Sequence, residues 1–150
     1  MAATYNNLYL DARKRLREAG VEGAQLEARE LVCCAAGKSR EQFYRDMALY
    51  ASDPVEEKLA ELLERRLAGE PVAYLIGEWE FYGLGLDITP DVLIPRMDTE
   101  VLAERAILLA RAAGEGARVL DLCAGSGCVG LAVAANVPGC RVVLADVSEA

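Results

Sequence analysis

The chain has 150 residues, 53% of them hydrophobic and 27% charged, a composition that can bury a core and lacks the polar, Pro-rich bias of disorder. Its 24 acidic residues against 16 basic ones give a formal charge of −8, which argues against a broad phosphate-binding surface and against nucleic acid as a direct ligand. There is no histidine, so no imidazole can act as base or metal ligand within these residues.

Residues 1–70 hold 11 basic and 13 acidic residues, and residues 71–150 hold 5 and 11, so any basic docking surface belongs to the first half. Arg13, Lys14, Arg15 and Arg17 form the densest basic cluster, but on a helix they spread over more than one face and read as a solvated surface. Cys33, Cys34, Cys123, Cys128 and Cys140 are odd in number and lack a C-x-x-C pair, which supports neither a disulfide framework nor a zinc site. They read as small buried apolar residues in a reducing compartment. No basic-then-apolar leader opens the chain and no uncharged stretch approaches the roughly 20 residues of a membrane span, so a cytoplasmic location without membrane attachment is expected.

In chain order, Tyr5, Leu8, Tyr9, Ala12, Leu16 and Ala19 recur at three- and four-residue steps and predict an amphipathic helix that stops at Gly20. A second helix is expected from about Ala24 to Ala36, ending at Gly37. Ser39 with Gln42 resembles a capping box opening a third. Asp53 as cap, Pro54 at the first helical position and Glu56 as the box partner predict a fourth, through Leu59, Leu62, Leu63 and Leu67. Between Val72 and Pro95 the β-branched and aromatic residues, with Trp79 and Phe81 alternating against Glu78, Glu80 and Tyr82, suggest a β-hairpin. Asp98 is expected to cap a helix from about Thr99 to Ala113, closed by Gly114.

Val119-Leu120-Asp121-Leu122, the turn Cys123-Ala124-Gly125-Ser126-Gly127, a small-residue helical pattern from Cys128 to Asn136 and the apolar run Arg141 to Asp146 then spell strand, glycine turn, helix, strand. That order is one βαβ unit with parallel strands. Such a turn suits a nucleotide-like ligand, because the helix N-terminus presents unpaired N–H groups and missing side chains admit a close approach. Asp146, nineteen residues after Gly127, is placed to accept hydrogen bonds from ribose hydroxyls. The string Gly125 to Gly130 also matches G-x-G-x-x-G, so a dinucleotide-dependent oxidoreductase is an alternative. Asp121 weighs against it, since a carboxylate there would repel a pyrophosphate and attract the amino group of a methionine moiety.

Asp121 to Gly127 resembles motif I of class I methyltransferases, and Ala145-Asp146-Val147-Ser148 resembles their ribose-binding motif. Gly69-Glu70-Pro71-Val72-Ala73-Tyr74-Leu75-Ile76-Gly77, then Glu80-Phe81-Tyr82-Gly83, then Pro90 through Pro95-Arg96-Met97-Asp98-Thr99-Glu100, are similar in order and spacing to the release factor glutamine-N5 methyltransferases. The resemblance is strongest from Arg66 to Ser148. It implies an α/β fold: a helical release-factor-docking domain over residues 1–70, a β-hairpin linker over 71–97, and the incomplete start of a Rossmann-like methyltransferase domain over 98–150. It further implies S-adenosylmethionine as cofactor, held by Asp121, Cys123, Ala124, Gly125, Ser126, Gly127 and Asp146, with Arg96 and Thr99 toward the substrate and no metal. The partner would be a peptide chain release factor, methylated on the glutamine of its Gly-Gly-Gln loop.

Cys123 stands where the family usually has glycine, which excludes any conformation that glycine alone tolerates. Met97 stands where it usually has proline, adding an N–H donor and freeing a backbone angle beside Arg96 and Thr99. The family's Asn-Pro-Pro-Tyr motif, inferred to orient the acceptor amide, does not occur in these residues, so no catalytic residue is assigned and negligible transfer by residues 1–150 alone is expected. An inactive binding fragment is therefore the second reading.

Overall fold

A computed structural model describes residues 3–149. The chain folds as two compact units, Met1–Ile76 and Gly77–Ala150.

The first unit is helical: α1 (Tyr5–Glu18), α2 (Ala24–Ala36), α3 (Arg40–Asp46), α4 (Asp53–Leu67) and α5 (Val72–Ile76). Thr4 caps α1 by accepting the Asn7 N–H at 3.2 Å, and α1 buries Tyr5, Ala12 and Leu16. Central α2 packs against α1, α4 and α5, and Ala28, Leu31 and Val32 on it are fully buried. Gly37 closes α2 in the left-handed conformation, with Lys38 N–H on the Cys33 carbonyl at 3.0 Å. At α3 the expected capping box is present in both directions: Ser39 Oγ accepts from Gln42 N–H at 3.2 Å and Gln42 Oε1 accepts from Ser39 N–H at 2.8 Å.

Two details of this unit differ from the sequence reading. Asp53 is already the first residue of α4, Ser52 occupies the cap position, and no side-chain cap bond forms there. Glu56 does not close a local box; its Oε1 accepts the Ala3 N–H at 2.9 Å, a partner 53 residues away. Residues 72–76 form a short helix rather than the start of a hairpin. Pro71 opens it, its carbonyl accepts the Tyr74 and Leu75 N–H groups, and Val72, Ala73 and Leu75 are buried. Tertiary burial outweighs the strand preference of its β-branched residues.

The basic cluster is dispersed as expected. Arg15 pairs with Glu64 at 2.5 Å, Lys14 approaches Glu18 at 4.0 Å, and Arg13 lies over the Tyr9 ring.

The second unit opens with an antiparallel hairpin of β1 (Glu78–Phe81) and β2 (Leu84–Asp87), joined by Tyr82-Gly83. Both turn residues have positive φ, +50° and +75°, as a two-residue type I′ turn requires. The expected alternation holds over 78–81, where Phe81 is buried, Trp79 half-buried and Glu78 and Glu80 exposed, but Tyr82, expected on the glutamate side, is half-buried against the core because the turn redirects it. Next comes α6 (Asp98–Ala113), with Ala103, Ile107 and Ala110 turned inward. Its cap position is Met97, already helical, and Asp98 makes no capping bond, so the expected cap role of Asp98 is not realised.

Parallel β3 (Arg118–Leu122) and β4 (Arg141–Ala145), with α7 (Cys128–Asn136) between them in sequence, form the expected βαβ unit. Register pairs Arg118 with Arg141, Leu120 with Val143 and Asp121 with Leu144. On the face covered by α7, Val119 and Val142 pack against Ile107, Ala110, Val133 and Val137, together with Tyr82 and Cys140. On the other face Leu120, Leu122 and Val143 are exposed. Mixed helix and sheet in this order match an incomplete Rossmann-like fold. No helix among the described residues is long and apolar enough to cross a membrane.

Candidate functional site

The site is built where β3 gives way to α7. Three residues of the connecting turn are left-handed: Cys123 (φ +62°), Gly125 (φ +54°) and Gly127 (φ +74°). A Cβ added at Gly125 would meet nothing within 4 Å, so the backbone there borders open space. Gly127 is different: a Cβ would stand 2.8 Å from Leu144 Cδ1, so this glycine lets the start of α7 lie close to β4.

The end of β4 clamps the turn. Ala124 N–H donates to the Ala145 carbonyl at 3.0 Å, Gly127 N–H to the Ala124 carbonyl at 2.8 Å, and Gly125 N–H to Asp146 Oδ2 at 2.8 Å. The other carboxylate oxygen, Asp146 Oδ1, accepts the Ser148 N–H at 3.0 Å. These backbone donors, Ser148 first and Gly125 next, hold the Asp146 carboxyl below its ordinary value. The carboxylate is exposed and ionised, and its two oxygens keep acceptor capacity beyond their backbone bonds.

Asp121 lies on the α7-facing side of β3, half-buried, and its Oδ2 accepts the Gly130 N–H at 2.8 Å. Ala124 and Ser126 are half-buried, whereas Cys123 is exposed. The expectation of five buried cysteines is thus corrected: Cys33 and Cys128 are buried, Cys34 and Cys140 are half-buried, and Cys123 opens to solvent because the turn lifts it off the sheet. Cys123 also adopts the left-handed region that favours glycine, a conformation that costs a side chain local strain. Burial pushes the Cys33 thiol up to about 11, an inert core group.

Arg96 and Thr99 stand at the start of α6, where Thr99 N–H donates to the Arg96 carbonyl at 3.0 Å. Among the described residues no hydrogen bond joins either to the glycine turn. Glu100, beside them, has a partner that sequence reasoning missed: its Oε1 accepts the Tyr82 N–H at 3.0 Å and fixes the hairpin turn to the first turn of α6. Tyr82-Gly83 between two strand-like runs was the available signal of a tight turn. The carboxylate that would meet it, eighteen residues on, carried none. No group of three or more His, Cys, Asp or Glu among the described residues could hold a metal ion.

Comparison with known proteins bears on this geometry. Residues 7–77 match the family model of the PrmC N-terminal domain, and residues 95–150 match a model described as lysine methyltransferase. The release factor glutamine methyltransferase of Bordetella pertussis is 46% identical over 132 residues, covering 84% of this chain and 46% of that protein. The protein of the same name in Coxiella burnetii is 40% identical over 126 residues (84% and 45%), and that of Vibrio cholerae 37% over 146 residues (97% and 50%). Over most of its own length the chain is similar to release factor glutamine methyltransferases. It spans about half the length of the curated relatives it matches.

Proposed function

We propose that this chain carries the cofactor-holding part of a methyltransferase that acts on the glutamine side-chain amide in the Gly-Gly-Gln loop of a peptide chain release factor. The observation that carries the reading is the Asp146 clamp: one exposed carboxylate, anchored on the Gly125 N–H, at the mouth of a turn bordered by open space. When bound, S-adenosylmethionine supplies an electrophilic methyl group on a positively charged sulfur. Asp146 would accept hydrogen bonds from the two ribose hydroxyls with the acceptor capacity left on its oxygens, and Gly125, which borders open space, would let the ligand reach the backbone. Cys123, Ala124 and Ser126 line the same turn, and the negative charge of Asp146 suits a cation better than a pyrophosphate.

In this reading residues 1–70 dock the release factor, segment 71–97, which holds α5 and the β1–β2 hairpin, links, and residues 98–150 begin the cofactor domain, with Arg96 and Thr99 toward the substrate. An amide nitrogen is a poor nucleophile, so orientation of the acceptor is required. No Asn-Pro-Pro-Tyr stretch occurs in these residues, and negligible methyl transfer by residues 1–150 alone is the expected outcome. The methyltransferase names of the relatives favour this reading over a dinucleotide-dependent oxidoreductase.

The test is isothermal titration of S-adenosylhomocysteine into residues 1–150 and into a longer chain that includes the Asn-Pro-Pro-Tyr motif, with methylation of a Gly-Gly-Gln release factor assayed alongside. Binding weakened at least tenfold by Asp146→Ala, with methylation by the longer chain only, supports the proposal. Saturable binding of a nicotinamide dinucleotide with none of S-adenosylhomocysteine overturns it.

A further inference from the structure

An acid at position 121 reads in the sequence as a charge facing a ligand's amino group, yet in the fold it has a different neighbour. Helix α7 begins at Cys128 behind Gly127, a cap residue with no side chain, and no acidic residue lies in its first turn. The first N–H groups of a helix have no intrahelical acceptor, and a Ser, Thr, Asp or Asn at the cap would ordinarily satisfy the second or third of them. Gly130 is the third helical residue, and its N–H donates to Asp121 Oδ2 at 2.8 Å. A carboxylate from the adjoining strand thus does what a cap side chain does elsewhere, and brings negative charge to the positive end of the helix.

The packing is shaped around this contact. A Cβ on Gly130 would collide with the Leu144 side chain and stand 3.1 Å from both Asp121 Oδ2 and Val142 Cγ1. With a Cβ there, Leu144 and Val142 would have to shift, so Gly130 eases the close approach of α7 to β3 and β4 by which Asp121 reaches its backbone, and the last glycine of the G-x-G-x-x-G string serves the cap. We propose that Asp121 is a positioning residue: it caps α7 from β3 through Gly130 N–H and thereby sets the direction in which the turn Gly125–Cys128 presents its backbone to the cofactor. The second half of this statement rests on the cofactor reading above; the first half does not.

Replacing the charge and removing the acceptor separate this role from a direct counter-charge. Asp121→Asn keeps an oxygen for Gly130 N–H and loses the charge, whereas Asp121→Ala loses both. In residues 1–150, amide exchange at Gly130 in Asp121→Asn is expected to stay within about threefold of the parent and to quicken roughly tenfold in Asp121→Ala. Affinity for S-adenosylhomocysteine follows the same order, with Asn restoring most of what Ala loses. An Asp121→Ala chain that does not fold beside a folded Asp121→Asn chain supports the cap as well. Equal weakening of binding by both variants while Gly130 stays protected overturns it in favour of a direct charge. Unchanged Gly130 exchange in Asp121→Ala overturns it outright. If no chain binds S-adenosylhomocysteine, the cofactor reading and the aiming role fail together, and the exchange comparison still decides the cap.

Discussion

The two units hold themselves together differently. In the helical unit Leu16, Leu31 and Val32 are 0% exposed, and apolar burial encloses α2 from several sides. In the second unit the parallel strands are covered on one face only: Leu120 is 61% exposed, Leu122 69% and Val143 59%. Parallel sheets are ordinarily buried on both faces, so β3 and β4 draw less on the hydrophobic effect than their composition allows. To its core of Ile107, Ala110, Val133 and Val137 this unit adds three carboxylates on backbone N–H groups: Asp121 on Gly130, Asp146 on Gly125 and Glu100 on Tyr82. The lesson is that the candidate site combines one-sided apolar packing with directional polar anchors, whereas α2 of the helical unit is enclosed by apolar burial.

The largest expected contrast tests this division directly. Leu31→Ala should cost about 3 kcal/mol through lost burial and a residual cavity, whereas Leu122→Ala on the bare sheet face should cost less than about 0.5 kcal/mol. Urea unfolding followed by signals from each unit measures both. Equal costs would break the comparison.

Next in size is Glu100. Glu100→Ala leaves the Tyr82 amide without its acceptor and should destabilise the second unit by about 1 kcal/mol, while Glu100→Gln keeps an acceptor oxygen and restores most of that. Thermal melts of the pair give the answer. Cys123→Gly should act in the opposite direction, stabilising by about 0.5–1 kcal/mol, because glycine occupies the left-handed region without a Cβ penalty. A destabilised Cys123→Gly chain would show that the exposed thiol makes a contact worth more than the strain.

The smallest effect belongs to the helical unit and appears with pH. Asp46 accepts Lys38 Nζ at 2.7 Å and Arg45 Nε at 2.9 Å; the Arg45 bond, then the Lys38 bond, lowers its carboxyl from 3.8 to about 2. A lowered folded-state value means that the contribution is complete above the unfolded value of 3.8 and lost as pH falls toward about 2. Asp46→Asn should therefore flatten the acid limb of the helical unit's stability curve and leave the second unit's unchanged.

Much of this division was legible from residue order. The periodicity from Tyr5 to Ala19, the glycine stops at 20 and 37 and the Ser39–Gln42 box are local signals with local partners, and the helices follow them. So does the strand, glycine turn, helix, strand order from Val119 to Asp146. The departures arise where a distant group outcompetes a near one. Glu56 is spaced for a local box but takes the Ala3 amide instead, and Val72–Ile76 favours a strand by composition but is buried as a helical turn. At the candidate site the spacing of Asp121 and Asp146 around the glycines was readable. That each would carry a backbone bond depends on how closely α7 lies on the strands, which Gly127 and Gly130 govern and which no local pattern reports.

The register of the parallel pair has one more consequence. Arg118 and Arg141 are directly opposed at the start of β3 and β4, both exposed, and like charges on neighbouring strands repel. The helical unit instead contains opposite charges in contact, such as Glu27 with Arg66 at 2.6 Å. Dissolved ions screen both interactions. Rising ionic strength should therefore ease the mouth of the parallel pair while weakening the ion pairs of the helices, giving the two halves of one chain salt responses of opposite sign.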